Sequence, residues 1–238
     1  GGRGIGRAVA LRLAREGAAV ATADIDLAPA QKVVQAIREE GGQAMAVQVD
    51  VTDRSQVEQM LATVLAEFDQ VEVLANIAGI GFAEPFLEIT DENWQQILDV
   101  NLTGVFICSQ VVGRHMVERN IEGRIVNIAS TNGLVAEADF AHYNASKFGV
   151  VGLTMSMAID MAPHNIRVNS VCPGLIKTRL TEAARNEPDW TNDYLKKIPL
   201  KRFGEPEEVA AAVAYLASTD SGFVTGHQLV IDGGQLTF

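Results

Sequence analysis

Cysteine is scarce in this chain: there are two in 238 residues, Cys108 and Cys172, far apart and each inside an apolar segment. That excludes a disulfide framework and fits reduced thiols buried in the core of a cytoplasmic protein. Four scattered histidines without paired cysteines offer no metal site. Positive charge is short as well, with 19 Lys and Arg against 30 Asp and Glu and a formal net charge of −11. Such a balance argues against nucleic acid or an anionic membrane as a partner. Apolar runs are brief and broken by Gly, Asn or charge, so none reads as a membrane span. A charged segment followed by an apolar one is absent at the amino end, so no secretion signal is read there. Linkers rich in Pro, Gly and Ser are lacking, as are internal repeats. One domain over residues 1–238 follows, with 47% apolar residues to fill its core.

What the chain does have is alternation. Short apolar runs (18–23, 44–49, 71–75, 124–129, 166–172 and 228–231) are separated by helical patterns over 7–16, 30–40, 53–68, 91–119, 143–162 and 207–218. Most runs lack a clean period of two, as expected of strands covered on both faces. The reading is α/β: a doubly wound parallel sheet of Rossmann type. Each run ends on something polar or turn-forming: Asp24, Asp50, Asn76-Ile77-Ala78-Gly79, Ser130, Pro173-Gly174 and Asp232-Gly233-Gly234. In open α/β sheets the ligand crevice lies outside these carboxyl ends.

Gly1-Gly2-Arg3-Gly4-Ile5-Gly6 runs straight into the first helix. Glycines there let the backbone approach a pyrophosphate that faces the helix N-terminus. Asp24 can accept both ribose hydroxyls of NAD and would repel a 2′-phosphate; Arg3 is the contrary feature, a basic residue in the loop. NAD is therefore expected over NADP. A glycine loop should follow a strand, and none precedes this one. A central strand cannot be missing without leaving two unpaired edges. About ten further upstream residues are expected, from ordinary strand lengths.

The segment from Ser130 to Lys147 holds the candidate chemistry. A strand over 124–129 delivers the Ser130 hydroxyl, and Tyr143 and Lys147 lie four apart, on one side of a helix. A free phenol titrates near pH ~10; a fixed cation nearby lowers that value toward useful proton transfer. Spacing alone fits an ordinary polar first turn of a helix better than it fits catalysis; the rest of the chain shifts the balance. Asn101 interrupts the apolar stripe of its helix and must find partners or a function. The helix after Tyr143 is apolar almost all round, so one side is expected to meet the sheet and the other a second subunit. From 175 to 200 the pattern loosens, which suits a flap closing over a ligand.

Together these residues resemble the short-chain dehydrogenase/reductase family along essentially the whole chain. The likeness rests on Gly4-Ile5-Gly6, Asp50-Val51, Asn76-Ile77-Ala78-Gly79, Asn101, Ser130, Tyr143 with Lys147, and Pro173-Gly174, in order and spacing. The run from Lys201 to Ala210 is similar to 3-oxoacyl reductase-like members. The resemblance implies that Tyr143 is the acid/base, that Lys147 holds the nicotinamide ribose and lowers the phenol pKa, and that Ser130 binds the substrate oxygen. It implies that Asn101 positions a relay water. For the cofactor it implies Arg3, Gly4, Ile5 and Gly6 at the pyrophosphate and Asp24 at the ribose. Asp50 and Val51 would meet the adenine, and Asn76, Ala78 and Gly79 would lie against the adenosine ribose. Pro173 and Gly174 would lead to Ile176 and Thr178, which grip the carboxamide. Ile77 replaces the second Asn of the family's commonest form of that motif.

The expected function is hydride transfer between NAD(H) and a secondary alcohol or ketone, in a homotetramer or homodimer. Alternatives are an NADP-dependent 3-oxoacyl reductase, a dinucleotide-binding sensor or scaffold without catalysis, and an epimerase or dehydratase using bound NAD. The candidate pocket residues are Phe82, Glu84, Glu137, Phe140, His142, Leu175, Trp190 and Tyr194, with Lys177 and Arg179 as reserve cations. His142 reads as a loop or pocket residue rather than a catalyst.

Overall fold

The computed structural model describes residues 1–237 and begins with α1 (Gly4–Arg15), β1 (Val20–Asp24), α2 (Leu27–Glu39), β2 (Ala44–Gln48) and α3 (Arg54–Phe68). β3 (Val73–Asn76), α4 (Asp91–Leu98), α5 (Gly104–Glu118), β4 (Arg124–Ile128), α6 (Ala141–Met161) and β5 (Arg167–Pro173) follow. The chain continues through α7 (Glu182–Arg185), α8 (Pro188–Lys196), α9 (Pro206–Ala217) and β6 (Gln228–Ile231). Helix starts follow their capping chemistry. Asp53 accepts from the Ser55 and Gln56 amides at α3, Thr90 accepts from Asn93 at α4, and Pro206 opens α9 inside a Glu205/Glu208 capping box.

All strand pairs are parallel, in two groups: β1 with β2, and β3-β4-β5-β6. Parallel strands are covered on both faces, which is why their sequences run apolar without alternation. Val126 and Ile128 of β4 pack with α1 and α9 on one face, whereas Ile125 packs with α5 and α6 on the other. α2 extends the first layer against α1, and α3 extends the second against α5.

β1 and β3 share no ladder. Between them lies an apolar slot of about 530 Å³, lined by Ala21 to Ala23 of β1, Leu74 to Asn76 of β3 and residues of α1, α3 and α5.

The helical pattern over 91–119 divides into α4 and α5 joined by a π-helical turn, Asp99–Thr103, with Asn101 fully buried in it. Such turns are rare and cluster at functional sites. The span from Asp91 to Glu118 is long and apolar, and 56% of its most apolar window is buried in the fold. Its hydropathy thus matches a helix packed on a sheet.

Candidate active site

Ser130 follows β4 in extended conformation, and its hydroxyl accepts the Asn132 amide at 3.1 Å. Tyr143 and Lys147 lie on the first turns of α6, with the Lys147 Nζ 5.5 Å from the centre of the phenol ring. Lys147 is 4% exposed, and its Nζ donates to the Ile128 carbonyl at 3.0 Å, tying the ammonium to the end of β4. Burial pushes Lys147 down from 10.5 to about 8. It pushes the Tyr143 phenol up; the Ser130 hydroxyl pulls the phenol the other way, while Glu137 and Tyr194 raise it further. The expected lowering of the phenol by Lys147 is corrected here. Both groups share one dry region, and desolvation is the largest cause of each shift.

Asn101 holds the loop in front of this pair. Its Oδ1 accepts the Ile80 amide at 2.8 Å, and its Nδ2 donates to the Ile80 carbonyl at 2.8 Å and the Ser146 hydroxyl at 3.1 Å. Ser146 in turn donates to the Tyr143 carbonyl at 2.7 Å. Next along the loop, a Cβ on Gly81 would lie 2.9 Å from the Tyr143 ring. The phenol is therefore shelved directly against backbone, a contact the sequence does not announce.

The cofactor residues form a cradle at the same edge. Added Cβ atoms would meet backbone at 2.7 Å on Gly1, 2.6 Å on Gly2 and 2.9 Å on Gly6, so this loop closes only as glycine. Gly4 has φ +49 where α1 begins, and the Thr178 methyl would sit 3.3 Å from a Cβ there, roofing the loop. No acidic side chain occupies the first turn of α1, which leaves the end of the helix dipole open to an anion. The Asp24 carboxylate accepts from the Gly2 amide at 2.8 Å and the Asp26 amide at 3.0 Å, which fixes it at the end of β1 beside the loop. Arg3 pairs with Asp26 at 2.7 Å rather than turning over the loop. Asp50 closes a turn by accepting from the Thr52 amide and hydroxyl, and Val51 packs on Gly104. A Cβ on Gly79 would lie 3.4 Å from the Asn101 Oδ1 and 3.6 Å from the Lys147 Nζ, placing this glycine between cradle and phenol. The residues present fit an extended dinucleotide running from Asp24 to Lys147.

Three of the expected residues are buried. The Asn76 side-chain amide turns inward, donating to the Ser109 hydroxyl at 2.9 Å and to Asn127 at 2.8 Å. Ile176 is 4% exposed and its side chain belongs to the core beneath α9, although Thr178 reaches the loop. His142 is fully buried and lines no pocket. Around the phenol stand residues that periodicity could not reveal. Asn132 donates to Asn144 at 2.9 Å and to the Glu137 carboxylate at 3.4 Å, and Gln235 donates to the Tyr194 hydroxyl at 3.1 Å. The flap is only partly loose. Tyr194, Ile198 and Phe203 are buried together with Trp190 and Leu175 against them, whereas Leu180 is 53% exposed. Lys177 pairs with Glu205, and Arg179 remains exposed.

Comparison with known proteins agrees with this geometry. The family model described as Enoyl-(Acyl carrier protein) reductase matches residues 1–235. A 3-oxoacyl-[acyl-carrier-protein] reductase of Synechocystis sp. is 40% identical over 238 residues, 99% of this chain and 94% of that one. A 5-keto-D-gluconate 5-reductase of Escherichia coli is 37% identical over 98% of this chain and 92% of its own. Among solved structures, a gluconate 5-dehydrogenase from Burkholderia cenocepacia in complex with NADP and tartrate superposes with a TM-score of 0.95 at 34% identity, covering 100% of this chain and 92% of that one. The chain therefore belongs to the short-chain dehydrogenase/reductase family and is an NAD(P)-dependent oxidoreductase acting on an alcohol or ketone.

Proposed function

We propose that the chain interconverts a secondary alcohol and its ketone with NAD(H), Tyr143 exchanging the proton with the substrate oxygen. The observation that carries this reading is the buried Lys147 ammonium 5.5 Å from the phenol ring, tied to the carbonyl of Ile128 at the end of the strand that leads into Ser130. The bound dinucleotide supplies hydride transfer; the protein supplies orientation and proton management. Ser130 holds the substrate oxygen. Lys147 holds the ribose. Asn101 and its π-helical turn position a relay water. Thr178 and the backbone of Pro173, Gly174 and Ile176 face the carboxamide, and the outer part of the flap closes over the ligand.

NAD over NADP is supported by the Asp24 carboxylate at the end of β1, which would repel a 2′-phosphate, and by the engagement of Arg3 with Asp26. The second reading, an NADP-dependent 3-oxoacyl reductase, draws on the name of the Synechocystis relative and on the NADP in the Burkholderia structure. Exposed apolar residues on α5 and α6, Phe106, Phe148, Met155 and Ile159, support a homodimer or homotetramer. A cytoplasmic setting, without nucleic-acid or membrane partners, accords with the two buried free thiols and the acidic balance. Initial rates with NADH and NADPH over a panel of ketones test the proposal. NADH is expected to win with the native chain, Asp24→Asn is expected to narrow the margin, and Tyr143→Phe is expected to abolish turnover while NADH still binds. Turnover by Tyr143→Phe comparable to the native rate would refute the role of the phenol.

A further inference from the structure

We infer that His142 is a positioning residue for Tyr143, its ring held in one tautomer toward Glu84 so that the other nitrogen clamps the tyrosine backbone. The inference rests on the proposed role of Tyr143.

The first turn of a helix leaves its amide donors without intrahelical partners. Phe140, at the N-cap of α6, offers no side-chain acceptor. The carbonyl four residues before Tyr143 belongs to Asp139, and it accepts the Glu84 amide at 2.7 Å. The Tyr143 amide instead donates to the Nδ1 of His142 at 2.8 Å. With the Tyr143 carbonyl accepting from Ser146 at 2.7 Å, the backbone of the tyrosine is gripped by side chains on both sides.

An Nδ1 that accepts carries no proton, so a neutral ring must carry its proton on Nε2. That nitrogen is buried without a hydrogen-bond partner and faces the Glu84 Oε2 at 3.6 Å. Glu84 is itself oriented, both oxygens accepting from the Asn93 amide at 3.1 and 3.0 Å. The Phe82 ring closes the box edge-on, 5.0 Å from the imidazole. The opposite tautomer would set an N–H against the Tyr143 N–H and a bare lone pair against a carboxylate, so the surroundings favour one ring state. His142 thereby links the loop after β3 to the phenol, and a displacement of the phenol well under its own width is enough to lower turnover.

The test uses the intact chain. A long-range nitrogen–proton correlation spectrum of the imidazoles is expected to show His142 protonated on Nε2 and bare on Nδ1; a proton on Nδ1 overturns the inference whatever any variant does. In steady-state rates, His142→Leu removes the acceptor and is expected to lower kcat about 10- to 100-fold with the KM for NADH within about two-fold. His142→Asn, whose Oδ1 takes the place of Nδ1, is expected to restore kcat to within about three-fold of native. Equal losses in both variants, or no loss in either, overturn the inference. Absence of turnover by the native chain would count against the proposed function, and the tautomer spectrum would still decide the clamp.

Discussion

Replacing Lys147 by methionine removes a charge that the fold holds against its preference for water, so the variant is expected to be dead and more stable. The ammonium is 4% exposed, and its pKa falls from 10.5 to about 8. At ~1.36 kcal/mol per unit this is about 3 kcal/mol of penalty for keeping the amine charged in the folded state. Against it stands the hydrogen bond to the Ile128 carbonyl, whose loss leaves a buried acceptor at about 1–3 kcal/mol. Methionine has nearly the same reach and no charge, so the net gain near neutral pH is about 0–2 kcal/mol. The folded pKa lies below the unfolded one, so the penalty is complete below about pH 8 and fades as pH climbs toward 10.5. Urea midpoints followed by the fluorescence of Trp94 and Trp190 measure this directly. The advantage of Lys147→Met should be present at neutral pH and shrink near pH ~10 as the native chain gains stability. A variant less stable than native at neutral pH, or an advantage independent of pH, would refute the reasoning.

Glu137→Gln removes a negative charge that raises the Tyr143 phenol, so the limb of the pH–rate profile for alcohol oxidation that reports the phenol should move to lower pH. An unmoved limb would show that the carboxylate does not act on Tyr143. Gly81→Ala puts a methyl 2.9 Å from the phenol ring and should cut kcat about 10- to 100-fold while NADH binding, measured by fluorescence, persists. Asn127 is fully buried, accepts from Asn76 at 2.8 Å and donates to Thr154 at 2.9 Å. Asn127→Leu should lower stability by about 1–3 kcal/mol in urea titrations, because it strands the Asn76 donor on that side.

The fold was legible because its elements are strongly patterned. The run over 228–231 is β6 residue for residue, and the helices over 53–68 and 143–162 are recovered to within two residues at each end. The long helix over 91–119 was legible as a helix, but not its π-helical turn, since an inserted residue leaves no mark on an apolar stripe. Asn101 gave the only hint, a polar side chain where the stripe is buried. At the site, Ser130, Tyr143 and Lys147 could be picked out because their residue types are chemically pointed. Gly81 and Ser146 could not, since a small residue in a loop or a serine on a helix has many ordinary uses. The expected pocket place of His142 failed for a related reason. Adjacency to Tyr143 in sequence put it about 100° away on the helix, toward Phe82 and Glu84.

By itself the sequence determined the alternation of strands and helices, the polar punctuation at the strand ends and the four-residue spacing of phenol and amine. Local periodicity and residue chemistry suffice for each of these. Only the tertiary structure decided which of those polar groups are dry. Burial turns Asn76 into a cross-strand tie, pushes Tyr143 up and Lys147 down, and encloses His142 beside Glu84. The physical reason is that desolvation depends on everything packed around a group, and those neighbours arrive from strands and loops far away in the chain.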